Sequence, residues 1–380
     1  MQKNKFKKNI KTLNTGLKEI HQLQPWVLPI TIFDALFKSL APFINIYMTA
    51  RIIDELLGSK DIERLKFLVG LTIGLNLIVH LISTGLDHLR IILRSIMIQN
   101  QDMKMNEKTI NMDYEHVENP ATHNLRTKIN ESEMMNDGGI IALLGYLGDL
   151  SRGLITVITS IILVIELFKP NIATDGYLSF ANTRLFSYGF LAIALGGTIF
   201  NLYLNTISDK KMFGYFSEVM DLNRIFMFYF SQIEDYNAGK EIRLYNQRHI
   251  YNKEVESFIQ GADKMFRSFE NMSTKYGGVS AFISSLIGGL IYIFVGLKAI
   301  TGRISIGSIV QYTGSITQFI SGSTEVLTSI NSIINNNQYL QLYIDFLNIE
   351  GEKYKGTLPV EKRDDDEYEI EFRNVSFKYP

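Results

Sequence analysis

The sequence predicts an all-α membrane protein with six transmembrane helices and long cytoplasmic extensions. Three observations carry that prediction. Apolar residues make up 46% of the 380 and gather in runs of about twenty, long enough to cross a bilayer. The polar stretches that follow several of these runs contain little Gly or Pro and so carry no helix stop. None of the seven prolines falls between Pro170 and Pro359, an absence that a helical bulk tolerates and a loop-rich fold rarely shows.

Residues 1–25 come first. Phe6, Ile10, Leu13, Leu17, Ile20 and Leu23 recur at spacings of three and four, and Lys3, Lys5, Lys7, Lys8 and Lys11 surround the start. That is an amphipathic basic helix, suited to lying on an anionic leaflet. It is too polar to be a cleavable signal peptide. The membrane domain, 26–348, then holds candidate spans at 26–47, 67–86, 154–168, 188–207, 279–297 and 307–327. The third is short unless its helix starts near Ile140.

Basic residues orient the spans. The N-terminal segment and the loops 89–139 and 208–275 hold twenty-two Lys plus Arg, against eight in the three loops on the other side. The positive-inside rule therefore predicts both termini in the cytoplasm. The stretch 87–119 has neither Gly nor Pro, and Leu89-Arg90-Ile91-Ile92-Leu93 prolongs the preceding span. These loops read as helices running on past the membrane. A last helix from 307 to about 347 would measure about 60 Å, twice the hydrocarbon thickness.

A polar linker follows at 349–367, with Asp364-Asp365-Asp366 inside it. The segment 368–380 then alternates apolar and polar residues with period two and reads as a strand. One strand makes no domain, so the expectation is that a further domain belongs after it.

Composition narrows the chemistry. A net charge of −1 gives no reason to expect nucleic acid as a partner. With no cysteine, the chain has no disulfide, thiol nucleophile or cysteine-ligated metal, and no His/Asp/Glu cluster has metal-ligand spacing. Two features inside the spans stand out. Gln311, Ser315, Gln318, Gly322, Glu325, Ser329, Ser332 and Asn336 form one polar helical face, which either lines a translocation cavity or packs helix against helix. Asp34 and Lys38 sit four residues apart, as either members of that cavity or an intrahelical ion pair.

The order of these parts, closed by Ile370-Glu371-Phe372-Arg373-Asn374-Val375-Ser376-Phe377-Lys378-Tyr379-Pro380, resembles a half-transporter of the ABC exporter family, cut at the start of its nucleotide-binding domain. Asp113-Tyr114-Glu115-His116-Val117-Glu118-Asn119-Pro120 and Tyr236-Asn237-Ala238-Gly239-Lys240-Glu241-Ile242-Arg243-Leu244-Tyr245 are similar to the segments at the family's two coupling helices. The resemblance implies that Tyr114, Glu115, Glu118, Asn119, Tyr236, Gly239, Lys240 and Glu241 dock on a motor domain. Pro120 and Gly239, each flanked by charges and aromatics, read from the residues themselves as the turning points. It implies that Tyr379 stacks on the adenine of ATP, unless it is merely the last residue of its strand.

It further implies ATP and Mg2+ in the intact transporter, a second transmembrane subunit (identical or not), nucleotide-binding domains as partners, alternating access as the mechanism, and a bacterial plasma membrane as the site. The 380 residues themselves hold no Gly-x-x-x-x-Gly-Lys-Ser/Thr loop; Ala238-Gly239-Lys240-Glu241 lacks the first glycine and the hydroxyl. ATP hydrolysis is therefore expected elsewhere than on this stretch. A secondary transporter, a membrane-anchored sensor and an inactive remnant stay open as alternatives.

Overall fold

A computed structural model describes residues 2–135, 138–168, 183–300, 304–349 and 373–376. Its helices are α1 (Gln2–Leu23), α2 (Val27–Leu57), α3 (Ile62–Asn111), α4 (Tyr114–Glu118), α5 (Pro120–Met135), α6 (Gly139–Val164), α7 (Arg184–Glu234), α8 (Tyr236–Leu244), α9 (Arg248–Ile300) and α10 (Ile306–Leu347). Among the described residues there is no strand. Five helical stretches are long and apolar enough to cross a membrane: α2, α3, α6, residues 185–208 of α7, and α9. The sixth predicted span lies within the 42-residue α10, whose polar face keeps it out of that set.

The long extensions are present as expected. The helices α3, α7 and α9 run 50, 51 and 53 residues without a break, far beyond the roughly 20 needed for a crossing. The third span starts at Gly139 rather than at 154 and ends in a 3₁₀ turn at Ile165–Phe168. Along α3, Phe67, Ile73, Leu77, Ile78 and Leu81 point outward. Water would penalise that surface by about 25 cal/mol per Å². Hydrocarbon would not, and the helix satisfies its backbone internally.

The chain divides into two units. The first comprises residues 1–45, 70–156 and 325–380; the second comprises 46–69 and 157–324. In the first, Ile20, Met97, Met105, Ile129, Ile140, Leu143, Leu340, Tyr343 and Phe346 belong to one buried core. This core takes up part of the α1 stripe that the sequence assigned to lipid: Ile20 is fully buried and Leu23 nearly so, while Ile10 stays exposed. Gly16 allows the close approach, since a Cβ there would lie 2.5 Å from Leu340 Cδ2. Lys104 Nζ meets Glu19 Oε2 at 2.5 Å, and Asn100 Nδ2 donates to Leu23 O at 2.7 Å, capping the end of α1. Protein therefore covers the Ile20–Leu23 end of the stripe.

In the same core, Glu133 is half-buried and accepts from Gln101 Nε2 at 2.5 Å. Burial, more than the neighbouring Asp102, holds its carboxyl above the usual range, while Gln101 pulls the other way. The folded state therefore binds this proton more tightly than the unfolded chain. Its contribution is favourable below the ordinary glutamate pKa and is lost as pH rises through the raised value. Glu133→Gln is expected to melt above the parent at pH 8, with the gap closing towards pH 4, in thermal scans of the solubilised chain.

The second unit has its own core of Val164, Leu167, Phe190, Ile287, Ile291, Phe294, Val295, Tyr312 and Ile316. Phe190 and Phe294 stack at 4.0 Å with planes 3° apart. Asn201 on α7 donates to Ser284 Oγ on α9 at 2.9 Å and accepts from Ser280. Farther along the same pair, Phe226 stacks on Phe258 at 4.2 Å and Tyr229 meets Tyr251 edge-on at 5.5 Å.

The linker 349–367 lies outside the described residues except for Ile349, and Tyr379 lies outside them altogether. Of the predicted strand, only 373–376 are described, and they are irregular. Asn374 has φ 52°, which breaks an extended backbone at that point.

Candidate functional site

Two short helices present the residues expected to dock. α4 is preceded by Asp113 and followed by Asn119, both with extended backbone. Asn119 Oδ1 accepts from Ala121 N at 2.8 Å and so caps α5, with Pro120 in the first helical position where its missing N–H costs nothing. The Glu-Asn-Pro sequence is thus a stop, a cap and a start, and Pro120 is a turning point as expected. Tyr114 is 69% exposed and donates its hydroxyl to Glu118, while Glu115 and Glu118 are exposed. That carboxylate, by accepting the bond, pushes the Tyr114 hydroxyl above its ordinary value.

α8 stands between the ends of α7 and α9. Asp235 caps it, accepting from Asn237 N at 2.9 Å. At its other end Asn246 takes the left-handed conformation at φ 47°, and Gln247 N donates to Ile242 O at 3.0 Å, closing the helix. Gly239 lies inside this helix and is not the turn read from the sequence. The chain turns instead at Asp235 and at 245–247, where the caps are. Nothing in α8 is buried. Tyr236 is 95% exposed, Leu244 and Tyr245 are exposed, and Lys240 and Glu241 point outward with them.

The polar face of α10 is largely turned into protein. Ser315, Ser329 and Asn336 are buried, and Gln311 and Gln318 are half-buried. Leu327, Ile330 and Ile334 on the other face are exposed. Asn336 acts as a clamp: its Oδ1 accepts from Gly139 N and its Nδ2 donates to Gly139 O, both at 2.8 Å. Packing accounts for the polarity of Asn336, whereas the buried Ser315 Oγ finds no hydrogen-bond partner among the described residues. Glu325 is met by Arg152 of α6, whose Nε lies 2.6 Å from Oε1. Sequence reading missed Arg152, although a lone acid in an apolar helix signals that a base must face it.

Asp34 and Lys38 form the intrahelical pair at 2.9 Å, within a larger network. Lys38 also meets Asp87 at 3.0 Å, and Arg90 Nε lies 3.2 Å from Asp34 Oδ2. Asp87, Arg90 and Arg94 were also missed; their signal was three charges directly after an apolar run. A cavity of about 110 Å³ opens among α2, α3 and α6, lined by Asp34, Lys38, Arg90, Arg94, Asp149 and Arg152 with small and apolar neighbours.

The sequence has no phosphate loop, and no group of three or more metal-ligating side chains occurs among the residues described.

Five long apolar helices define the class: this is a helical membrane protein. Over 146 residues, 37% of the chain, it is 30% identical to the subtilin transport ATP-binding protein SpaT of Bacillus subtilis, and the match spans 23% of that relative's length. No family model matches the chain. The chain is thus similar to part of a protein whose name speaks of transport, and the match takes in less than a quarter of that protein.

Proposed function

We propose that the chain is the membrane-spanning subunit of an ATP-driven exporter of the ABC type, with α10 supplying the sixth crossing and both termini in the cytoplasm. It pairs with a second such subunit, and nucleotide-binding domains lying outside these 380 residues hydrolyse ATP. Closure of those domains pushes on α4 and α8 and opens the membrane path outward. The observation that carries this reading is α8, a capped helix with no buried residue that holds Tyr236 95% exposed at the turn between two helices of over fifty residues. An exposed aromatic on a rigid knob is the kind of anchor that a partner's pocket covers. The half-buried Gln311 and Gln318 of the α10 face line the path. The relative's name speaks of subtilin transport, and subtilin is the first cargo to try.

The test is uptake into inside-out vesicles carrying the chain together with its nucleotide-binding domain. ATP-dependent, vanadate-sensitive uptake is expected. Tyr236→Ser should lower it about tenfold or more, as loss of a docking anchor does, without lowering the melting temperature. Uptake that persists under vanadate but collapses with an ionophore would make this a secondary transporter instead.

A further inference from the structure

The second unit holds a cavity of about 260 Å³ among the end of α6, the first turns of α7 and residues 316–320 of α10. Its walls offer no polar surface. Val164, Phe190, Ala194 and Ile316 form the floor and belong to the buried core of that unit. Ile161 and Ile165 form the rim and are 49% and 55% exposed. The cavity is therefore a groove that opens sideways from the core. Phe190 is held by its stack on Phe294, which also stacks on Phe186 at 5.7 Å, so this wall does not fold in to fill the space.

Chemistry, depth and size restrict the occupant. An apolar cavity stays dry, so water would leave these walls without contacts. A ligand with hydrogen-bonding groups would find no partner here. The crossing stretch of α7 starts at 185, and Phe190 and Leu195 come five and ten residues into it, about 8 and 15 Å along the axis. The hydrocarbon of one leaflet is about 15 Å deep. The groove thus stands at the depth of acyl chains, and its rim continues the surface that α6 turns outward with Ile158 and Ile162. A cavity of about 150 Å³ with such walls takes benzene, so about 260 Å³ takes roughly ten carbons of a chain.

We propose that this groove binds one acyl chain of a phospholipid from the adjoining leaflet. The inference rests on the protein lying in a membrane and not on its exporting anything.

The test uses the full chain with its one tryptophan, at an exposed position, removed by Trp26→Phe. Phe319→Trp then reports from the groove, and Ile73→Trp reports from the outward face of α3. Each variant is reconstituted in dibrominated phosphatidylcholine, whose chains quench tryptophan on contact, and emission falls in both. The proteins are then moved to digitonin, which has a steroid body and no alkyl chain to compete, and washed. The groove reporter is expected to stay quenched, while the α3 reporter recovers its full emission. Ala194→Leu, which fills the floor, should abolish the retained quenching; if it misfolds, Ile161→Phe at the rim takes its place.

Recovery of both reporters in digitonin, retention by both, or retained quenching that survives the filling substitution would overturn the proposal. So would a groove reporter left unquenched in the vesicles, which would mean that another helix covers the groove. Quenching retained after dibromostearic acid but not after the phospholipid would give the site to a free fatty acid and overturn it too. No ATP or transport enters the readout, so failure of the exporter reading would leave a positive result standing.

Discussion

Gly307→Ala is expected to displace the start of α10 and to cost roughly 3–5 kcal/mol, a large share of a typical folding free energy. A Cβ at Gly307 would fall 2.1 Å from Ala50 O and 2.6 Å from Asp54 Oδ1. The carbonyl belongs to α2 and cannot rotate away without opening a helical hydrogen bond. The same movement would strip Asp54 of its two ligands, Gly307 N at 2.9 Å and Ser305 Oγ at 2.8 Å. Those bonds hold the first turn of α10 on α2, an anionic cap at a helix N-terminus. Melting curves and monodisperse yield in detergent are the readout. Gly74→Ala on α3, where a Cβ meets nothing within 4 Å, should cost nothing and gain up to about 1 kcal/mol. If the two variants melt alike, the close approach of α2 to α10 is wrong.

Asn336→Leu is the second large effect, expected to destabilise by roughly 2–5 kcal/mol. The side chain is nearly isosteric, so the loss is not one of volume. It lies in leaving the N–H of Gly139 buried and unpaired where α6 begins, since the first N–H groups of a helix have no intrahelical partner, and in stripping the Gly139 C=O of its second donor. Asn335→Leu, at an exposed neighbour, should stay within about 0.5 kcal/mol. Guanidinium or thermal unfolding of the two variants side by side decides it. A stable Asn336→Leu with altered transport would return this residue to cavity lining.

Helices were legible because their signals are local. The Gly- and Pro-free stretch 87–119 let α3 be followed past its apolar run, and an early start near Ile140 was the only way to lengthen the third span. The two segments expected to dock are short helices, α4 and α8, but Gly239 misled. A glycine marks a turn only when the backbone needs positive φ, and in α8 Asn246 fills that role. What stayed hidden depends on partners distant in sequence. Periodicity shows that Glu325, Ser329 and Asn336 share a face, yet not that Arg152 and Gly139 wait opposite it. The α1 stripe was visible, but apolar spacing cannot distinguish a leaflet from Leu340 and Leu143. Asp34 and Lys38 were read as either pair or cavity, and only the presence of Asp87 and Arg90 shows the pair to be half of a quartet.

The length of α7 and α9 has a mechanical consequence. At about 1.5 Å per residue, the 51 residues of α7 make a rod of about 76 Å. Sideways travel of about 4 Å at the α8 end then corresponds to a tilt of only about 3°. The rings of Phe226, Phe258, Tyr229 and Tyr251 brace the two rods near that end, so a push there would move them as one beam instead of splaying them. Under the function proposed above such a beam would be geared down: a long, weak stroke at the tip would become a short, forceful one nearer its pivot.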